Sequence, residues 1–134
     1  MFVFASWHFK NKFTGKIYNH ILKTNFKICG AKLIKMSTSQ AENFYLVHKD
    51  KPFYNELVSF MSSGNCMVLV LEKENAVESW RNTIGATNPE EAKEGTIRKL
   101  YASNLSENAV HGSDSDENAK KEIAFFFSEL ELLQ

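Results

Sequence analysis

Proline and glycine are scarce in this chain, two and six among 134 residues, which leaves little room for long linkers or low-complexity tails. No segment repeats at a fixed period. Cysteine is nearly absent. Cys29 and Cys66 stand far apart without paired spacing, so neither a disulfide framework nor a cysteine metal site is indicated. Two buried free thiols of a cytoplasmic protein are expected instead. The longest apolar runs, such as Met67 to Leu71, fall far short of the ~20 residues a membrane helix needs. The apolar stretch Met1 to Trp7 is followed, not preceded, by basic residues, which is not the order of a secretory leader. Arginine is rare too: Arg81 and Arg98 are the only two, and the other basic residues are lysines.

What is present suits one domain over residues 1–134, long enough to bury about two-thirds of its unfolded surface. The formal charge is zero but unevenly spread. Residues 1–51 carry nine lysines against Glu42 and Asp50, a net of +7, and residues 52–134 carry a net of −7. A basic half could attract polyanions, yet no nucleic-acid-binding pattern accompanies the lysines. Intermixing of the halves in one fold is the simpler reading.

Apolar spacing gives the order of elements. Phe2 to Ala5 reads as a short buried strand, and Lys10 to Phe13 as a basic connection. Thr14 can cap a helix to about Thr24, with Ile17, Ile21 and Leu22 on one face. Phe26 to Met36 reads as a strand. Ser37 with Gln40 matches a capping box, so a helix is expected from there to about His48. Pro52 opens another helix, over about Phe53 to Ser63, ended by Gly64. Cys66 to Leu71 is a strand of the kind buried on both sides. Asn75 to Ile84 is an amphipathic helix closed by Gly85. Ala86 to Gly112 shows little periodicity beyond a short helix near Thr96 to Tyr101, and a segment this long without structure is usually functional. A last helix spans about Glu117 to Phe127, and Leu130 to Leu133 is a short tail. With a late strand near His111, this order fits an α+β fold of the ferredoxin-like βαββαβ type. A four-stranded antiparallel sheet would then carry helices packed on one face.

The densest chemistry lies in Asn108-Ala109-Val110-His111-Gly112-Ser113-Asp114-Ser115. Neutral imidazole is a nucleophile at neutral pH. Gly112 lets a bulky group approach and permits unusual backbone angles. Ser113, Asp114 and Ser115 suit a helix N-terminus. Alone, a loop histidine is more often structural or solvent-exposed. Arginine forks match phosphate oxygens, and the bland alternative for Arg81 and Arg98 is a pair of surface salt bridges.

The run NAVHGSDS closely resembles the active-site signature of the nucleoside diphosphate kinases. The similarity continues through Glu122-Ile123-Ala124-Phe125-Phe126-Phe127 and reaches back to about Thr14-Gly15-Lys16-Ile17. It includes Gly85-Ala86-Thr87-Asn88-Pro89 and Gly95-Thr96-Ile97-Arg98, and its short tail resembles bacterial members. The resemblance implies the ferredoxin-like fold and a ping-pong transfer. A nucleoside triphosphate gives its terminal phosphoryl group to His111, which passes it to a nucleoside diphosphate. Glu122 would accept the proton of the other ring nitrogen of His111. Ser113 would bond Glu122, and Tyr45 would sit beside the imidazole. Arg81, Thr87 and Arg98 would hold the phosphates, Phe53 would stack on the base between Leu57 and Leu105, and Asn108 would bond the sugar. Gly112 completes the pocket. For Phe53 and Leu57, four apart on one helix, core packing is the alternative. Mg²⁺ would arrive on the nucleotide phosphates, since the sequence has no carboxylate cluster for a separate metal cage. The pattern GxxxxGK[ST] is missing, which excludes a P-loop kinase. A homo-oligomer is implied, either a tetramer or a hexamer, with no membrane or nucleic-acid partner.

Residues 1–13 depart from the family. Its first strand ends in Lys-Pro-Asp, and counting back from Gly15 without a gap puts Ala5, Ser6 and Trp7 there. Loss of that lysine implies reduced activity, by about 10²–10³ in rate for one such charge. Lys10 lies about 16 Å further along an extended chain and is no substitute. An altered N-terminus, through a reading-frame slip or alternative start, and a true variant both account for the departure. The rivals to an active kinase are a non-catalytic nucleotide-binding oligomer of the same fold and a nucleic-acid binder using the basic half.

Overall fold

Two apolar runs decide the centre of the sheet. The computed structural model describes residues 1–8, 13–102 and 110–133. Strand β1 (Phe2–His8) pairs antiparallel along its length with β3 (Asn65–Glu72), and β3 pairs with β2 (Lys27–Lys35) on its other side. The two-residue strand β4 (His111–Gly112) pairs with β1, which gives the order β2-β3-β1-β4. β1 runs three residues beyond the expected Ala5, and this extension carries the register Ser6 opposite His111 and Ala5 opposite Gly112.

Helices cover both faces of this sheet, not one. On one face Val3, Ala5, Trp7, Leu69 and Leu71 pack with Ile17 and Ile21 of α1 (Thr14–Lys23) and with Trp80 and Ile84 of α4 (Ala76–Ile84). On the other, Phe4, Val68 and Val70 pack with Phe44 of α2 (Thr38–Phe44) and with Ile123 and Phe126 of α6 (Asp116–Phe126). On that same face, Val58 and Met61 of α3 (Tyr54–Met61) pack with Met36, Ala41, Tyr45 and Cys66. The cause is in the strands. A continuous apolar run such as Met67 to Leu71 has no polar face to give to water, so both sides must be covered.

Local signals fix the helix ends. The Ser37–Gln40 capping box forms in both directions, with Gln40 N–H donating to Ser37 Oγ at 3.1 Å and Ser37 N–H to Gln40 Oε1 at 2.9 Å. α2 stops at Phe44, short of the expected His48, and the chain continues through one 3-10 turn, Leu46–His48. Thr14 does not cap α1. Phe13 holds that position, while the Thr14 hydroxyl accepts from Trp7 Nε1–H at 3.2 Å, so the buried indole has its partner. Thr96 caps α5 (Ile97–Tyr101), and Ser115 caps α6 by accepting from Asn118 N–H at 3.1 Å. After α6 the tail crosses the sheet edge. Leu133 N–H donates to Cys29 O at 2.7 Å, and Lys32 pairs with Glu131 at 3.0 Å. Cys29 and Cys66 are both free and buried, as expected. No helix among the described residues is long and apolar enough to cross a membrane.

Candidate active site

His111 stands where the short β4 meets the end of β1. Its ring faces the side of the sheet that carries Phe4, with centroid separations of 6.2 Å to Phe4, 5.7 Å to Phe44 and 5.9 Å to Tyr45, the last two edge-on. Glu122 reaches it from α6. A carboxylate only accepts, so His111 Nε2 carries the proton and donates to Glu122 Oε1 at 2.6 Å. Fixing the proton on Nε2 leaves the lone pair of the neutral ring on Nδ1. The imidazole is about a quarter exposed, so the ring is held by packing and still open to a ligand.

Gly112 serves close approach, not an unusual backbone angle. Its neighbour is the Trp80 indole, and a Cβ at position 112 would fall 2.6 Å from Trp80 Nε1. The same Nε1–H donates to His111 O at 3.3 Å. The bulky group that the glycine admits is therefore an indole of this chain, on the face away from the imidazole.

Ser113 does not bond Glu122. Its side chain is fully buried against β1, where Phe4 N–H donates to Ser113 Oγ at 3.1 Å and Oγ–H donates to Phe4 O at 3.4 Å. Ser113 lies just past β4 and beside Phe4, whose backbone N–H and carbonyl take up the hydroxyl before it can reach α6. Tyr45 is buried beside the imidazole, and burial, followed by the neighbouring Cys66 and Glu122, drives its phenol well above its ordinary range. Its hydroxyl oxygen and that of Ser6 are both buried without a hydrogen-bond partner, and Ser6 is the residue opposite His111. Ala5, where the counting places the family lysine, points to the other face among Val3 and Trp7 and is fully buried.

The two arginines differ. Arg81, on α4, is exposed, and among the described residues no carboxylate pairs with either guanidinium. Arg98 is 9% exposed; its Nη1–H donates to Gly85 O at 3.0 Å and its Nη2–H to Val110 O at 2.9 Å, while Nε is buried without a partner. Desolvation, with the Arg81 charge nearby, brings its pKa down to about 10. Two cations without acids make a place for an anion. Phe53 is half-buried and lies 5.6 Å from the His48 ring, and Leu57 follows one turn along α3.

One cavity of about 1450 Å³ gathers His111, Glu122, Tyr45, Phe53, Leu57, Arg81, Thr87, Arg98 and Gly112. Of the described residues expected in the site, Ser113 alone is not on its wall. Leu105 and Asn108 lie outside the described residues. His48, Asn118 and Lys121 also line the cavity and were not expected there. The helical period could have found two of them, because Asn118, Lys121, Glu122 and Phe125 share one face of α6. His48 is displaced below its ordinary pKa by desolvation and then by His111. Among the described residues no group of three His, Cys, Asp or Glu is placed to hold a metal ion.

Known proteins share both sequence and shape. A family model described as "Nucleoside diphosphate kinase" matches residues 7–132. A nucleoside diphosphate kinase of Persephonella marina is 57% identical over 120 residues, covering 90% of this chain and 86% of that protein. Among solved structures, the Aquifex aeolicus nucleoside diphosphate kinase superposes with a TM-score of 0.94 at 36% identity, covering 98% of each chain. The halophilic enzyme of Halobacterium salinarum, solved in complex with CDP, superposes with a TM-score of 0.93 at 32% identity, covering all of this chain and 91% of that one.

Proposed function

Since this chain belongs to the nucleoside diphosphate kinase family of phosphotransferases, we propose that it works through a phosphohistidine on His111. The observation that carries this reading is the 2.6 Å bond from His111 Nε2 to Glu122, which leaves Nδ1 as the nucleophile. The Nδ1 lone pair attacks the terminal phosphorus of a nucleoside triphosphate. The P–O bond to the diphosphate breaks, and its electron pair leaves with the diphosphate. The proton stays on Nε2, where Glu122 offsets the charge gained by the ring. A second diphosphate enters and the step runs backwards.

Arg81, Arg98 and Thr87 line the part of the cavity that would receive the phosphates, and Phe53 with Leu57 would receive the base. Stacking on Phe53 is tolerant of the base's identity, which suits an exchange between different nucleotides. The remaining N–H donors of Arg98, including the orphaned Nε, are available to an anion after its two carbonyl bonds are made. Leu105, Asn108 and Gly112 complete the binding set, with Tyr45 beside the ring. Ser113 acts indirectly, by tying the His111 segment to β1. Mg²⁺ would be held mainly by the phosphate oxygens and would neutralise phosphate charge. A homo-oligomer, tetramer or hexamer, in the cytoplasm completes the reading, and the two unpaired thiols suit that compartment.

Incubation with Mg²⁺ and terminally labelled ATP, followed by unlabelled GDP, tests it. The chain takes up label and yields labelled GTP, and a His111→Ala control does neither. Nucleotide binding without label on the protein would instead favour the non-catalytic relative.

A further inference from the structure

The catalytic strand is too short to hold itself. β4 has two residues and meets β1 only at Ser6 and Ala5. Two side chains from elsewhere grip carbonyls at its start, Arg98 at Val110 O just before it and Trp80 at His111 O within it. Arg98 lines the cavity, so binding and positioning are mixed in it. Trp80 does not line the cavity, is fully buried, and lies among Ala5, Ile84 and Phe26 on the face opposite the imidazole. It touches His111 through the backbone alone, by the 3.3 Å bond to O and by the ring lying on Gly112.

We propose that Trp80 is a positioning residue for phosphoryl transfer, setting the depth and tilt of the His111 backbone so that Nε2 meets Glu122 and Nδ1 faces the cavity. This rests on reading His111 as the phosphoryl acceptor. The bond to Glu122 is short, so a small shift of the backbone lengthens it, and misplacement by about 1 Å can lower a rate about 10²-fold. Losing one N–H while the ring stays should do less.

The test is Trp80→Phe, which keeps an aromatic ring and removes the indole N–H. Three quantities are measured beside wild type: the single-turnover rate of His111 phosphorylation at saturating ATP, the ATP concentration for half-saturation, and the NMR resonance of the His111 Nε2 proton. The expected result is a rate lower by about five- to tenfold, an unchanged half-saturation and an Nε2 proton moved upfield. An unchanged rate with an unmoved proton overturns the proposal, and so does a loss confined to half-saturation. If Trp80→Phe does not fold, Trp80→Tyr, which also lacks the indole N–H, takes its place. Wild type that never takes up label overturns the phosphohistidine reading instead, and the Nε2 resonance still decides whether Trp80 positions the ring.

Discussion

Ala5 and Ser6 are neighbours in sequence and face opposite sides of the sheet. Ala5 lies in a closed apolar cluster with Val3 and Trp7, and Ser6 lies opposite His111 with its hydroxyl unpartnered. A lysine placed at position 5 would bury an ammonium with no acid near it. Ala5→Lys is expected to destabilise the protein by about 3–5 kcal/mol, read as a lowered denaturation midpoint. Ser6→Lys stands on the wall of the cavity. It is expected to raise the single-turnover rate by about tenfold or more, because a charge on the transferring group is worth that much. If Ala5→Lys were the faster and equally stable, the orientation of β1 would be wrong. In this orientation a charge at position 6, and not one at position 5, would face the cavity. Strand alternation decides this, and alternation is invisible until the register with β4 is known.

Between the ends of α4 and β4, Arg98 acts as a strut. It joins Gly85, just past α4, to Val110, just before β4, through two charged hydrogen bonds. Arg98→Met fills the same space and leaves both carbonyls unpaired, so a stability loss of about 2–4 kcal/mol is expected from denaturant unfolding. Arg81→Met, at an exposed residue that pairs with no carboxylate among the described residues, should leave the midpoint nearly unchanged and weaken only nucleotide binding. Equal stability losses in the two variants would remove the distinction. At this scale the sequence was largely legible. Apolar runs, the Ser37–Gln40 box and Gly85 marked elements that formed, although β1 runs on past Ala5 and α2 stops before His48, and NAVHGSDS marked the candidate site. What stayed hidden depended on distant pairing. Ser113 looked like a partner for Glu122 because both belong to one motif, yet Phe4, 109 residues away, takes its hydroxyl. Gly112 was expected both to admit a bulky group and to allow unusual backbone angles, and only the packing shows that the group is Trp80.

Across the whole molecule, His20 and His48 are both held below their ordinary pKa, chiefly by desolvation, with Lys23 adding to it for one and the neighbouring His111 for the other. The unfolded chain therefore binds more protons than the folded one once the pH drops below about 6.5. The stability these two imidazoles contribute is complete above that pH and is lost as the pH falls through their folded values. Thermal midpoints at pH 7.5 and 5.5 should differ in that direction, and a His20→Asn, His48→Asn double variant should show a smaller difference. A midpoint that rises on acidification, or an unaltered difference in the double variant, would contradict it.

The clamp of Ser113 on Phe4 also has a consequence in time. β1 leaves the ribosome long before the helix bearing Glu122. At about 5–20 residues per second, many seconds of synthesis separate the two. Through that interval β1 has no neighbour on its β4 side, and Phe4 waits for a hydroxyl not yet made. Once His111 emerges, it still lacks the carboxylate that orients it. Until α6 emerges, the nascent chain carries the parts of the candidate site without their assembly.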